Sequence, residues 1–202
     1  MKEIEIKKIL IESLITDKGN ILSSEFRFNF GTRRADVICM TKDELIAFEI
    51  KGAGDNTSRL EEQIDSYRKY FDLCYIVCEK CNLQNIRKKI PNNIGILVIN
   101  DESIIQIRKA KDIKKHDKIT LASTIDIRTL RKMVSNKKIK SKHELCELFS
   151  AQRKLKEVRE ISRGDLFMRI NNPYKIFLSE LGSKVHSDDI LTLTRMSSLE
   201  LI

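Results

Sequence analysis

The stretch Glu25–Tyr67 reads EFRFNFGTRRADVICMTKDELIAFEIKGAGDNTSRLEEQIDSY, and its reading decides the fold. Residues 22–30 alternate, with Phe26, Phe28 and Phe30 on one face and Glu25, Arg27 and Asn29 on the other, so a half-buried strand is expected. Gly31-Thr32 is a turn, and Ala35 to Met40 is a second strand with Asp36, Ile38 and Met40 on one face. Lys42-Asp43 then makes a tight turn into a third strand, Leu45 to Lys51. Strand side chains repeat every second residue, so Glu49 and Lys51 share a face while Ile46, Phe48 and Ile50 take the other. The hairpin lets Asp36 meet Glu49 across the ladder.

Two carboxylates held a few ångströms apart repel unless one is protonated or a cation lies between them. Mg²⁺ suits such a pair, because it takes oxygen ligands, needs few protein carboxylates and keeps waters for a substrate phosphate. Lys51 would stand beside the ion, where an ammonium orients an attacking water or offsets charge developing on phosphoryl oxygens. The plain alternative is a surface hairpin whose Asp36, Glu49 and Lys51 form an ordinary cross-strand ion pair, worth well under ~1 kcal/mol.

The next segment weighs against that alternative. From Ser58 to Phe71 the residues Leu60, Ile64, Tyr67 and Phe71 follow helical spacing, and Ser58-x-x-Glu61 reads as a capping box. Gln63 and Tyr67 are four apart, so they lie on one side at the edge of the apolar stripe and point towards the strand face.

Asp36, Glu49-Ile50-Lys51 and Gln63-x-x-x-Tyr67 together resemble the PD-(D/E)XK nuclease superfamily. The wider string RRAD…FEIK…RLEEQIDSYRKYFD…YIV is similar to a small bacterial branch of uncharacterised nuclease-like proteins, over about residues 20–100. The resemblance implies a restriction-endonuclease-like α/β core. It implies that Asp36, Glu49 and the Ile50 carbonyl hold Mg²⁺, with Mn²⁺ as a substitute, that Lys51 is the catalytic lysine, and that Gln63 and Tyr67 form an accessory helix motif. Ala35 stands before Asp36 where a proline gives the superfamily its name, at a position that varies among members. Many members add an upstream acid. Glu25 and Glu12 compete for that role, and Glu25 is favoured because it begins the strand paired with that of Asp36.

Outward from this stretch, a helix over residues 3–15 is expected to bury Ile6, Ile9, Leu10 and Leu14 against the sheet, with Gly19 in the turn that follows. Leu73 to Val77 reads as a buried strand, Leu83 to Lys89 as a short helix stopped by Pro91, Ile94 to Ile99 as a strand and Ile104 to Ile107 as an edge strand. This alternation predicts a mixed α/β sheet with parallel crossovers. Gly52 and Gly54 suggest a flexible loop beside the site.

Beyond residue 120 helices dominate. Ser123 or Thr124 is expected to cap one running through Val134, Ser141-x-x-Glu144 to cap a second before Leu145, Leu148 and Phe149, and Asn172-Pro173 to open another that ends near Leu181 with Gly182. Ser135 to Lys142 is a lysine-rich connection, and Leu191 to Ile202 a weakly apolar tail that covers the sheet or supports a homo-oligomer. The chain thus divides into an α/β core, residues 1–107, and a basic, mainly helical C-terminal region, residues 108–202.

The net charge of +9 is unevenly placed: Arg108 to Glu160 holds 17 Lys and Arg against 7 Asp and Glu, a balance of +10 that leaves the remainder at −1. Such a segment suits a polyanion. Arg33, Arg34, Arg128, Arg131, Lys132, Lys137, Lys138 and Lys140 are the expected contacts to nucleic acid, DNA in the first instance. A solvated helical surface is the ordinary alternative.

Cys74, Cys78 and Cys81 have the spacing CxxxCxxC, which occurs at iron–sulfur sites. A cluster is not expected, because Cys74 and Cys78 fall with Ile76 on one face of a buried strand and no fourth ligand is assigned among Cys39 and Cys146. His116, His143 and His186 lack ligand spacing. No apolar run reaches membrane-spanning length and MKEIEIKK lacks a signal-peptide core, so a cytoplasmic, membrane-free protein is expected.

These readings converge on a metal-dependent nuclease. Its competitors are a nucleic-acid-binding protein on the same fold without turnover, and an interaction module with an acidic protein partner.

Overall fold

The alternating stretch folds as a meander of β1 (Ile21–Phe28), β2 (Arg33–Met40) and β3 (Leu45–Lys51), each antiparallel to the next. The computed structural model describes residues 1–101, 103–134 and 139–195. A parallel neighbour needs a crossover, and helices supply it. From β3 the chain passes through α2 (Leu60–Arg68) to β4 (Leu73–Glu79), then through a 3₁₀ turn and α3 (Leu83–Lys89) to β5 (Gly95–Asn100). Both steps are parallel, and β6 (Ser103–Arg108) adds an antiparallel edge. The result is a six-stranded mixed sheet in sequential order β1 to β6.

Each face buries its own core. Ile38, Ala47, Ile76 and Ile96 pack under α2, α4 (Lys118–Ala122), α5 (Ile127–Met133) and α6 (Lys142–Ala151). Val37, Cys39, Phe48 and Val77 pack under α1 (Glu3–Leu14) and α8 (Ser187–Thr194). Helix α7 (Leu155–Glu180) serves both: Val158, Leu166 and Ile170 belong to the first core, Tyr174 and Phe177 to the second, and the helix packs against β1 between them. Residues beyond 108 therefore share both cores with the sheet.

Several local expectations are corrected. Asn172-Pro173 does not open a helix; Pro173 lies buried inside the 26-residue α7. An interior proline costs about 3 kcal/mol, but here it sits where one continuous rod changes cores, and burial of Ile170 on one side and Tyr174 on the other offsets that cost. The single helix expected up to Val134 is two, α4 capped by Asp117 and α5 by Asp126, whose side chains accept the Thr120 and Arg128 amides. Ser123 and Thr124 instead fall between the two helices, where their hydroxyls bond the Thr120 and Leu121 carbonyls. Ser58 makes no cap, its amide bonding Asn56 Oδ1 while α2 starts at Leu60. Ser141 occupies the N-cap of α6 without a side-chain capping bond.

Strand β1 stops at Phe28, because Asn29, Phe30 and Gly31 all take positive φ in the turn, leaving Phe30 exposed against the His143 ring. In α1 the buried stripe is Ile6, Lys7, Leu10 and Ile11, with Ile9 and Leu14 only partly covered. Gly95 is required by close approach, since a Cβ there would lie 2.2 Å from the Tyr75 ring.

Candidate active site

The β2–β3 register pairs Val37 with Phe48, and its continuation sets Asp36 beside Glu49. Asp36 Oδ2 accepts the Ile50 N–H at 2.8 Å. The N–H and C=O of one strand residue point to the same side, so the Ile50 carbonyl also faces Asp36. Lys51 donates to Glu49 Oε1 at 2.8 Å, and Gln63 Nε2 donates to that same oxygen. The Tyr67 hydroxyl lies against Glu49 Oε2 and 3.0 Å from the Arg34 carbonyl, serving one of them at a time with its single proton. The five residues of the expected motif thus meet. Asp36, Glu49 and Lys51 are all at least nine-tenths buried.

Burial, with the Glu49 charge second, pushes the Asp36 carboxyl up to about 7. Burial and the two carboxylates also raise the Tyr67 phenol far above its ordinary range, so it remains a proton donor. Two buried neighbouring acids, Asp36 reluctant to ionise and Glu49 paired with Lys51, form an oxygen-only donor set. With the Ile50 carbonyl it fits a hard divalent cation such as Mg²⁺ or Mn²⁺.

Glu25 reaches the same place by a distortion of β1. Its φ of 55° is left-handed, between the paired residues Ser24–Val37 and Phe26–Ala35. Both strands change faces there: Leu22 and Val37 belong to one core, Phe26 and Ala35 to the other. The kink brings a Glu25 oxygen within 4.8 Å of oxygens of Asp36 and Glu3. Glu25 also pairs with Lys7 and, at 2.7 Å, with Arg34. Glu12, its competitor, instead accepts the Val185 amide at 2.8 Å.

Sequence reasoning missed Glu3 and Lys7. Lys7 is 4% exposed and lies 3.2 Å from Glu3 one helical turn earlier. Burial opposes its charge, yet the hydrogen bond to Glu25 and the surrounding acids raise its pKa overall. A lysine inside the Ile6–Leu10–Ile11 stripe was the available signal.

A cleft of about 380 Å³ opens over these groups, bordered by Arg33, Arg34, Arg59 and Asn56. Arg33 is ion-paired with Glu62, and Arg59 was not foreseen. The glycine loop is pinned rather than loose: Gly52 donates to Asp55 Oδ2 at 2.7 Å and its carbonyl accepts from Asn82.

Arg128, Arg131, Lys132 and Lys140 are not brought to this cleft. Arg128 lies 3.9 Å from Asp126, and the other three are exposed. Lys137 and Lys138 lie outside the described residues. Some of the C-terminal bases staple helices instead: Lys118 bonds the Ser150 and Arg153 carbonyls, Arg153 covers the Phe149 ring, and Arg159 and Arg163 face Asp72.

Cys74, Cys78 and Cys146 are buried, and burial pushes the Cys78 thiol up to about 12, a protonated form that ligates poorly. A larger cavity, about 690 Å³, lies at the other end of the β2–β3 hairpin beside Met40, Asp72, Arg163 and Phe167. Its four acids and four bases balance, and its arginines are already engaged by Asp72.

Among the described residues no helix is long and apolar enough to cross a membrane. The chain is 23% identical over 211 residues to protein cII of Enterobacteria phage P4, covering 98% of this chain and 78% of that protein. A solved protein of unknown function from Silicibacter pomeroyi aligns with 57% of this chain and 76% of its own at 14% identity and a TM-score of 0.44. Residues 1–194 match the family described as bacteriophage P4 protein cII, and the chain belongs to that family.

Proposed function

We propose that this chain is a metal-dependent nuclease that hydrolyses phosphodiester bonds of DNA on a restriction-endonuclease-like core. The observation that carries the reading is the convergence of Asp36, Glu49, Lys51, Gln63 and Tyr67 at one buried point beneath an open cleft. An ordinary surface ion pair does not need a buried second acid and two further donors on the first.

Asp36, Glu49 and the Ile50 carbonyl are the groups that would hold Mg²⁺ or Mn²⁺. Bound there, such an ion stabilises charge on the phosphoryl and departing oxygens and acidifies water. Gln63 and Tyr67 lock the Glu49 carboxylate in one orientation, leaving little reorganisation at the moment of reaction. One Lys51 N–H is committed to Glu49, which fixes the ammonium; its two remaining donors can orient a water and a phosphate oxygen. Asp36 is held in turn by the Ile50 amide. Arg59 at the rim, with Arg33 and Arg34 beside it paired to Glu62 and Glu25, would meet a phosphate backbone, whereas Arg131, Lys132 and Lys140 would act as a separate, peripheral contact.

The test is cleavage of labelled single-stranded, duplex and branched DNA with Mg²⁺, Mn²⁺ or EDTA, comparing the natural chain with Asp36→Ala and Lys51→Ala. Metal-dependent cutting lost in both variants is expected. Binding without cutting under either metal replaces this reading with DNA binding alone, and no binding at all shifts attention to a protein partner.

A further inference from the structure

Resting on the nuclease reading, we infer that the buried ammonium of Lys7 occupies the position a second metal ion would otherwise take, so that the site holds a single divalent cation. Oxygens of Glu3, Glu25 and Asp36 lie within 4.8 Å of one another, a spacing that suits a cation. A cation from the chain itself already stands among them: Lys7 Nζ is in contact with Glu25 and 3.2 Å from Glu3, with its side chain 5% exposed. Burying a lysine is costly unless it is paired, and here α1 delivers it to the one point where β1 adopts a left-handed residue to present a carboxylate.

Charge balance points the same way. Four carboxylates, Glu3, Glu25, Asp36 and Glu49, face three cations in ion-pair contact with them, Lys7, Arg34 and Lys51. With all four ionised, one negative charge is left over. A single divalent ion between Asp36 and Glu49 turns that deficit into one positive charge, enough to attract a phosphodiester. A second ion beside Lys7 would leave three excess positive charges around an ammonium that is itself buried, at an unfavourable Coulomb cost. Asp36 belongs to both groups: one of its oxygens lies within 4.8 Å of those of Glu3 and Glu25, whose charges Lys7 meets, while the Asp36 carboxylate also lies beside Glu49 and the Ile50 amide.

The test reads ion stoichiometry rather than cleavage, by calorimetric titration with Mn²⁺ and by loss of the free Mn²⁺ electron-spin signal, in the natural chain, Lys7→Met, Glu3→Gln and the double variant. The natural chain is expected to bind one Mn²⁺. Lys7→Met gains one further ion, and Glu3→Gln added to Lys7→Met removes it again. Glu3→Gln alone, on a half-exposed side chain, changes affinity less than about threefold. No gain in a folded Lys7→Met overturns the inference, as does a natural chain that binds two ions and loses one on Glu3→Gln. Should Lys7→Met not fold, the Glu3→Gln titration decides by itself: unchanged stoichiometry upholds the inference, and a lost ion sinks it. A natural chain that binds no ion, with one gained in Lys7→Met, would uphold the role of Lys7 while sinking the nuclease reading on which it was placed.

Discussion

At one end of β3, Asp72 is ringed by His116, Arg159 and Arg163 at 3.0 to 3.6 Å, and its second oxygen accepts the Leu45 amide at 2.7 Å. At the other end, four carboxylates share three cations, and Asp36 is held back from ionising. Both clusters hold a buried aspartate among charged side chains, yet the company differs: bases surround Asp72, whereas Asp36 lies beside other carboxylates. Around Asp72 the bases outnumber the acid and come from α7 and the segment before α4, so the cluster clasps the C-terminal helices to the sheet. Around Asp36 carboxylates crowd one another beneath an open cleft, Glu49 beside it and Glu3 and Glu25 within 4.8 Å, so that full ionisation calls for a further cation. Burial does not separate the two ends; what separates them is a carboxylate matched by bases at one and crowded by other carboxylates at the other.

Four experiments can break or sharpen this contrast. The largest effect is expected at the clasp: Asp72→Ala leaves Arg163 buried without its counter-charge and should cost about 3–5 kcal/mol in urea unfolding. A loss below about 1 kcal/mol would show that the cluster is not structural. At the cleft, Lys51→Met, which keeps the stem, should lower DNA cleavage at least about a hundredfold while leaving the unfolding midpoint close to that of the natural chain. Equal damage to stability and rate there would erase the distinction between the two ends.

Next in size, Tyr67→Phe withdraws a donor from Glu49 and the Arg34 carbonyl and should destabilise by about 1–3 kcal/mol, with a further loss of rate if the Glu49 orientation matters. No rate change in a folded Tyr67→Phe would remove the helix from the mechanism.

The last tests read pH dependence, which has opposite signs at the two ends. Burial and Glu49 raise Asp36 from 3.8 to about 7, so the folded chain keeps a proton that the unfolded chain has released. In EDTA its contribution to stability therefore falls as pH rises between those values; Asp36→Asn removes that slope, and Mg²⁺ counters it. His116 is shifted the other way, its pKa lowered first by burial and then by Arg163 and Arg159 against the pull of Asp72. The fold keeps it neutral, so stability is lost as pH falls through the ordinary imidazole value near 6.5, and His116→Gln flattens this acid limb. Thermal midpoints across pH for the two variants would expose a wrong sign at either end.

What the residues alone determined is what depends on local periodicity. The two-residue alternation from Ala35 to Met40 and Leu45 to Lys51, the Leu60–Ile64–Tyr67 stripe and the strand–helix–strand succession through Ile99 specified the mixed sheet and put Asp36, Glu49, Lys51, Gln63 and Tyr67 on converging surfaces. Helix and strand periods fix which face a side chain takes, and register carries that over to the neighbouring strand. Tertiary structure decided the rest. Only packing on both faces of the sheet keeps α7 intact through Pro173; only the left-handed kink at Glu25 turns Phe26 to one core and Leu22 to the other; and only the docking of α1 sets Lys7 and Glu3, far from Asp36 in sequence, into the acidic group. The basic surplus was legible as a number but not as a surface, because whether a lysine or arginine faces solvent or bonds a carbonyl depends on which helix end lies beside it, as Lys118 and Arg153 show. Periodicity is a property of neighbours along the chain; charge compensation is a property of neighbours in space.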